Sequence, residues 1–329
     1  MIGRKGRRMS FSEAANFIRQ RQRFLITSHV NPDGDGIGAM MGLERALRKL
    51  GKEGIMILEA EPPKIFSFLP EYDRLKSLAD FQHAPQYDAA ILVDSPTLER
   101  VGKVADFLKP DIPMLNLDHH VSNQYFAPVN LVEPTFSSSA EMVYRLVVEL
   151  GLAPDSGCAE CLYTGIIIDT GRFRFSNTSP DTLRAAAALV AAGARPDIIS
   201  EKIYEKNTLE TTRALGKFIA SLSLELDGKA AVGSFENEFI TSEEYQRVET
   251  EGFVNHALSI EGVEVAAFLK EVEKGKTRAS LRSRGGMDVN KLADAFGGGG
   301  HARAAGCTIM APMAQAKERL LEQMAKRLG

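Results

Sequence analysis

Up to Leu117 the apolar positions of the chain come as short solid runs rather than as alternations. Arg23-Phe-Leu-Ile-Thr-Ser28, Gly54-Ile-Met-Ile-Leu58, Ala89-Ala-Ile-Leu-Val93 and Met114-Leu-Asn-Leu117 are each bounded by polar or glycine-containing segments. Runs of that length predict strands buried on both faces, the habit of a parallel sheet. Helical spacing separates several of them. One helix is predicted from near Ser10, where Ser10-Phe-Ser-Glu13 reads as a capping box. A second is predicted from about Gly38 to Leu50, stopped by Gly51, after a loop containing Pro32, Gly34 and Gly36. Strands alternating with helices predict an α/β fold with a mainly parallel sheet covered on both faces.

The pattern then changes twice. From Ser138 to about Ser221 helical spacing dominates, around Met142–Leu150, Leu183–Ala192 and Thr208–Leu222, with a break at Gly193-Ala-Arg-Pro196. Beyond Ser221, Leu224 to Val232 reads as a hairpin turning at Asp227-Gly228. Strand-like runs follow at Val263–Leu269 and Thr277–Arg282, and a last helix at about Met313 to Leu328. The expected organisation is a first α/β domain over 9–192, a helical linker over 193–222, and a smaller α/β domain with a mixed sheet over 223–329.

Bulk properties narrow the class. A chain of 329 residues suits two domains and buries a substantial core. The net charge of −3 argues against a broad basic surface for long nucleic acid, while allowing a local basic pocket for a small anion. The three cysteines, Cys158, Cys161 and Cys307, are too few and odd in number for a disulfide framework, and Cys158-x-x-Cys161 lacks the second pair that zinc would need. No apolar run reaches the roughly 18–20 residues of a membrane span. Arg4, Lys5, Arg7 and Arg8 near the N-terminus precede no apolar stretch. These features lead to the expectation of a cytoplasmic protein without a membrane partner.

Four polar clusters interrupt the apolar runs. His29-Val-Asn-Pro-Asp33-Gly-Asp35 follows the first strand, Asp94 ends the third, Asp118-His119-His120 ends the fourth, and Asp169 closes Gly165-Ile-Ile-Ile-Asp169. In parallel α/β sheets, ligands bind beyond the carboxyl ends of strands. A carboxylate after three isoleucines is costly to bury without a partner, and a divalent ion is such a partner. A lone strand-end Asp is more often a turn or cap residue, but three of the six histidines fall in these clusters. The combined inventory suffices for two divalent ions. Oxygen and imidazole donors without thiolate favour Mn²⁺, with Mg²⁺, Fe²⁺ or Co²⁺ as alternatives. Two such ions about 3.5–4 Å apart can clamp a phosphate and activate water.

The second domain contributes Arg278-Ala-Ser280-Leu-Arg282-Ser283-Arg284 and Gly297-Gly298-Gly299-Gly300-His301-Ala-Arg303-Ala-Ala-Gly306. Strand alternation places Arg278, Ser280, Arg282 and Arg284 on one face. Bare glycines let backbone N–H groups approach an anion, to which His and Arg add charge-assisted donors. Together they read as a clamp for phosphate or carboxylate.

Taken in order, His29-Val-Asn-Pro-Asp-Gly-Asp35, Asp94, Asp118-His-His120, Asp169-Thr-Gly, Ser280-Leu-Arg-Ser283 and Gly297-Gly-Gly-Gly-His301-x-x-Ala-Ala-Gly306 resemble the DHH phosphoesterases that carry a C-terminal DHHA1 domain. The resemblance spans nearly the whole chain and is nearest to the NrnA-like branch of oligoribonucleases and 3′-phosphoadenosine 5′-phosphate phosphatases. It implies that His29 and Asp33 hold one metal, that Asp35, His119 and Asp169 hold the other, and that Asp94 bridges both. It implies that His120 faces the substrate phosphate, with Asp118 orienting a histidine. Arg282, Ser283, the backbone of Gly298, Gly299 and Gly300, and His301 would bind the far end of the substrate. The expected activity is hydrolysis of two- to few-residue RNA to mononucleotides, and of 3′-phosphoadenosine 5′-phosphate to AMP, by a chain that forms a homodimer by analogy. A cyclic-di-AMP or linear dinucleotide phosphodiesterase is the alternative. A single-strand DNA exonuclease, an inorganic pyrophosphatase and a non-catalytic nucleotide-binding protein rank below it.

Overall fold

The computed structural model describes residues 6–109, 111–235, 248, 250 and 252–328. The chain divides into two compact units, Met1–Lys206 and Asn207–Gly329.

In the first unit, β1 (Arg7–Arg8) leads into α1 (Phe11–Arg19), whose capping box is formed: the Ser10 side chain accepts from the Glu13 backbone and Glu13 returns to Ser10. β2 (Arg23–Thr27) is buried after its first residue. α2 (Gly34–Lys49) begins earlier than the spacing of its apolar residues suggests. Asp33 is its N-cap, accepting from the backbone N–H groups of Asp35 and Gly36, so Gly34 and Gly36 belong to the first helical turn and not to a loop. β3 (Glu53–Leu58), β4 (Leu75–Ser77), β5 (Ala89–Val93), β6 (Met114–Asp118) and β7 (Val129–Val132) complete a seven-stranded sheet in the order β1-β7-β6-β5-β2-β3-β4. Every pairing in it is parallel.

Chain order reverses between β2 and β5: from β2 the chain runs outward through β3 and β4, then resumes on the other side with β5, β6 and β7. A crevice at the carboxyl ends of two such strands is where open α/β sheets bind ligands.

α3 (Ser139–Glu149), α4 (Ser156–Asp169), α5 (Pro180–Ala191) and α6 (Pro196–Tyr204) follow. α4 is buried from Gly157 to Ile167, and its Cys158 and Cys161 are free thiols inside the core. Two glycines let three helices close on one another. A Cβ at Gly38 would lie 2.3 Å from the Cys161 carbonyl oxygen, and one at Gly165 would lie 2.4 Å from the Ala140 Cβ and 2.9 Å from an Asp35 carboxylate oxygen. The contacts draw α2, α3 and α4 together around Asp35.

The second unit begins with α7 (Leu209–Ala220), so the helices found within 193–222 belong to different units, α6 to the first and α7 to the second. Its strands are β8 (Ser223–Glu225), β9 (Ala230–Phe235), β10 (Val265–Glu273), β11 (Lys276–Ser283), β12 (Gly299–His301) and β13 (Ala304–Ile309). They form a mixed sheet in the order β12-β13-β11-β10-β9-β8, antiparallel except between β9 and β10. The hairpin of β8 and β9 turns through Leu226, Asp227 and Gly228, all at positive φ. Alternate residues of β9 and β10 feed opposite faces. Ala231, Ala266 and Phe268 meet Phe218, Phe235 and Phe253 on one side; Val232, Ala267 and Leu269 meet Leu292, Leu320 and Met324 on the other. The second face is covered by the helices Val289–Asp294 and Met313–Leu328. Among the described residues no helix is long and apolar enough to cross a membrane.

Candidate metal centre

The carboxyl ends of β2, β5 and β6 lie side by side, and each delivers part of one polar cluster. His29, just past β2, is 8% exposed. Its Nδ1 lies 2.9 Å from the Val30 carbonyl oxygen. Its Nε2 faces the Asp94 Oδ2, 3.4 Å away.

Asp94 follows β5 with φ +54°, a left-handed backbone that Asp tolerates better than most side chains. It is buried. Its Oδ2 faces His29, while its Oδ1 lies 3.7 Å from His119 Nε2, 3.6 Å from His120 Nδ1 and accepts from the Ser139 hydroxyl at 3.2 Å. One carboxylate thus looks in two directions. Burial alone would raise its pKa, but the His29 hydrogen bond and the charges of His119 and His120 hold it below the ordinary value.

α2, α3 and α4 supply the rest. Asp35, in the first turn of α2, is buried and accepts from the backbone N–H groups of Ser139 (2.7 Å) and Ala140 (2.8 Å) at the start of α3. Asp169 ends α4, with its Oδ2 3.4 Å from His119 Nε2; Asp35 Oδ2 is 3.8 Å from the same nitrogen. Asp33 is exposed and spends one oxygen on its helix cap.

Three groupings place ligating atoms within 4.8 Å of one another: His29 with Asp33 and Asp94, Asp35 with His119 and Asp169, and Asp94 with His119 and His120. The donor set suits divalent cations. Burial pushes the Asp35 carboxyl well above the usual carboxylate range, and the neighbouring Asp94, Asp169 and Asp33 add to it. Burial, resisted by His119 and helped by Asp33 and Asp94, lifts Asp169 to about 7. Carboxylates so dry and crowded ionise together only with positive charge among them, and divalent ions provide it.

Asp118 is fully buried and stands behind this centre. Its Oδ1 is 2.8 Å from His120 Nδ1, and its Oδ2 accepts from Asn123 Nδ2 at 2.6 Å. Asn123 also donates to Asn116 Oδ1 (2.8 Å), and Asn116 donates to the Ser95 carbonyl (3.0 Å). Burial works against protonation of His120, but the Asp118 hydrogen bond and the charges of Asp94 and Asp118 outweigh it and raise its pKa to about 9. Asn116, Asn123 and Ser139 were not singled out in the sequence: Asn116 sits inside an apolar strand run, and Asn123 and Ser139 are ordinary polar residues outside the quoted motifs. Arg100, whose Nη2 approaches His29 Nδ1 to 3.2 Å, was equally silent.

The second unit modifies what its motif suggested. On β11, Arg278, Ser280 and Arg282 share the more open face. Ser283 points the other way: it is buried and its hydroxyl donates to the Met287 carbonyl at 2.7 Å, a latch on the following turn. Arg284 lies beyond the strand. The glycine run is no open loop. Gly299–His301 forms β12, paired with β13. A Cβ at Gly298 would lie 2.3 Å from the Gly306 carbonyl oxygen, and one at Gly300, with φ +149°, 2.4 Å from that of Ala304. Those two glycines serve close backbone packing, while Gly299 has room, its nearest neighbour being the Asn290 side chain at 3.8 Å. The His301 side chain lies outside the described residues.

A parallel sheet that gathers carboxylates and imidazoles at its switch point, followed by a smaller mixed-sheet unit, defines a metal-dependent phosphoesterase. The DHH family N-terminal domain matches residues 23–166, and the DHHA1 domain matches 227–329. The chain belongs to the DHH family. It is 33% identical, over 92% of its length and 89% of the relative's, to the bifunctional oligoribonuclease and PAP phosphatase NrnA of Thermus thermophilus. It is 28% identical to the protein of that name from Bacillus subtilis, over 91% of this chain and 93% of that one. The crystal structure of an exopolyphosphatase-related protein from Bacteroides fragilis matches with a TM-score of 0.88 at 27% identity, covering 96% of both chains.

Proposed function

We propose that this enzyme hydrolyses very short RNA, down to dinucleotides, to mononucleotides, and converts 3′-phosphoadenosine 5′-phosphate to AMP. The observation that carries the reading is the two-sided placement of Asp94 between His29 on one side and His119 on the other. The printed activities of the Thermus and Bacillus relatives supply the substrate class.

In this reading His29 and Asp33 would hold one divalent ion and Asp35, His119 and Asp169 a second, with Asp94 shared between them. Mn²⁺ is the proposed metal, because the donors are carboxylate and imidazole without thiolate. Bound there, the pair supplies Lewis acidity toward a phosphoryl group and acidifies water. The chain's own residues do the rest. Asp118 accepts from His120 Nδ1 and so fixes the orientation in which the ring would meet a phosphate oxygen. The Asp118 hydrogen bond favours the protonated ring, which would stabilise the charge that grows on that oxygen. Asn123 and Asn116 keep Asp118 from turning away. In the second unit Arg282, Gly299 and His301 are the proposed substrate-binding residues, with Gly298 and Gly300 shaping the strand. A cytoplasmic location and a homodimer complete the proposal.

The test is a Mn²⁺-dependent time course on 5′-phosphorylated RNA of two, three, five and twenty-four nucleotides, with 3′-phosphoadenosine 5′-phosphate and cyclic di-AMP alongside. Mononucleotides should appear fastest from the dimers and trimers, AMP should form from the bisphosphate, and Asp94→Ala should be silent. Consumption of the cyclic dinucleotide or the long strand alone would overturn the substrate assignment.

A further inference from the structure

Just past Asp169 the backbone does something that no metal ligand requires. Gly171, Arg172 and Phe173 are three successive left-handed residues, with φ +54°, +62° and +62°. Two of them carry side chains that disfavour this conformation, and such strain persists only where the surroundings impose it. Here they do. The Arg172 N–H donates to the Ile167 carbonyl at 2.8 Å, and those of Arg174 and Phe175 both donate to the Thr170 carbonyl at 3.0 Å. The Asn177 amide donates to the carbonyls of Asp169 (3.1 Å) and Ser137 (2.9 Å), tying the far end of the turn to the centre.

The turn sorts its side chains. Arg172 stacks on Tyr204, with its guanidinium carbon 3.7 Å from the ring centroid, and Phe173 turns in toward Tyr163, the ring centroids 6.2 Å apart. Phe175 is left outside, 53% exposed. Its ring lies against Gly171, where an added Cβ would come within 2.4 Å of it. Among the described residues no other aromatic ring packs on it. A strained, well-bonded turn therefore holds a flat apolar ring in solvent, lying on a glycine two residues beyond Asp169.

A ring held on Gly171, two residues past Asp169, suits a partner with a flat π face carried next to a phosphate at the centre. A nucleobase of a short oligonucleotide meets both demands, and its stacking tolerates any base because every base has a π face. We propose that Phe175 is a substrate-binding residue, stacking on the nucleobase that adjoins the scissile phosphate. The inference rests on the short-RNA reading above and adds to it the group that grips a base independently of its identity.

The experiment compares 5′-phosphorylated ApA with its abasic counterpart in wild type and Phe175→Ala, and uses Phe175→Trp as a reporter. The chain has no tryptophan, so that variant carries a single fluorophore at the proposed contact. Phe175→Ala should raise KM for ApA by about tenfold or more, with a smaller effect on kcat, and should erase the preference over the abasic substrate. Phe175→Trp should keep a KM near wild type, and its emission should be quenched by AMP but not by ribose 5-phosphate. An unchanged KM and preference in Phe175→Ala, or no quenching by AMP, overturns the proposal. Failure of the wild-type enzyme to cleave ApA would sink the functional reading instead, and quenching by AMP would still decide the stacking.

Discussion

Asp118 shows how much a single buried side chain can be asked to do. It is fully buried and holds both His120 and Asn123. Its ionised form accepts from both. Replacing it by Asn puts an amide where two acceptors are needed, so one donor is left facing an N–H. Asp118→Asn should therefore lower kcat by about 10²-fold or more, with bound metal counted by elemental analysis close to wild type. Loss of the metal along with the activity would instead make Asp118 part of the metal-holding set. The motif residues around it were legible because they sit directly after apolar runs, where a titratable group is conspicuous. The face that Ser283 takes was not legible, for the complementary reason. A serine beside arginines reads as polar surface, and only the strand's register shows which face it takes.

At the scale of elements, α2 and α4 decide how closely the ligands can gather. Gly38 sits inside a helix, where Ala is worth about 1 kcal/mol more than Gly by propensity. Here the added methyl would meet the Cys161 carbonyl at 2.3 Å, a backbone atom in a buried helix that cannot swing aside. Overpacking of this kind costs about 1–3 kcal/mol, enough to reverse the propensity gain. Gly38→Ala should lower the urea midpoint of the first unit, and a rise would show that the helices separate without penalty. The start of α2 carries a similar lesson. Apolar spacing begins at Ile37, but the cap is Asp33, whose carboxylate satisfies the first free N–H groups. A cap can be read from sequence, yet here Gly34 and Gly36 obscured it by imitating a loop.

At the scale of the whole molecule, each unit has its own apolar core, one spread over α1 to α6 and the parallel sheet, the other on both faces of the mixed sheet. Asp33, Asp35, Asp94 and Asp169 all belong to the first unit. Divalent ions binding only the folded form stabilise it by about 2.7 kcal/mol at a hundred times Kd. Chelation should therefore speed amide hydrogen exchange in β2, β5, β6 and α4, leave β9 to β11 unchanged, and be reversed by Mn²⁺. Equal loss of protection in both units would show that the ions stabilise more than the centre.

The alternation of strands and helices, the parallel habit of the first sheet and the identity of the polar clusters were all legible along the chain. Those features are local: a solid apolar run, a capping box or a histidine pair is complete within a few residues. The tertiary structure alone decided the strand order that sets β2 beside β5, the two-sided aim of Asp94, and the Asn123–Asn116 support behind Asp118. It also decided that Gly298 and Gly300 serve backbone packing. Each of these depends on atoms from segments far apart in the chain, whose approach is fixed by packing and hydrogen-bond geometry that no short stretch of sequence contains.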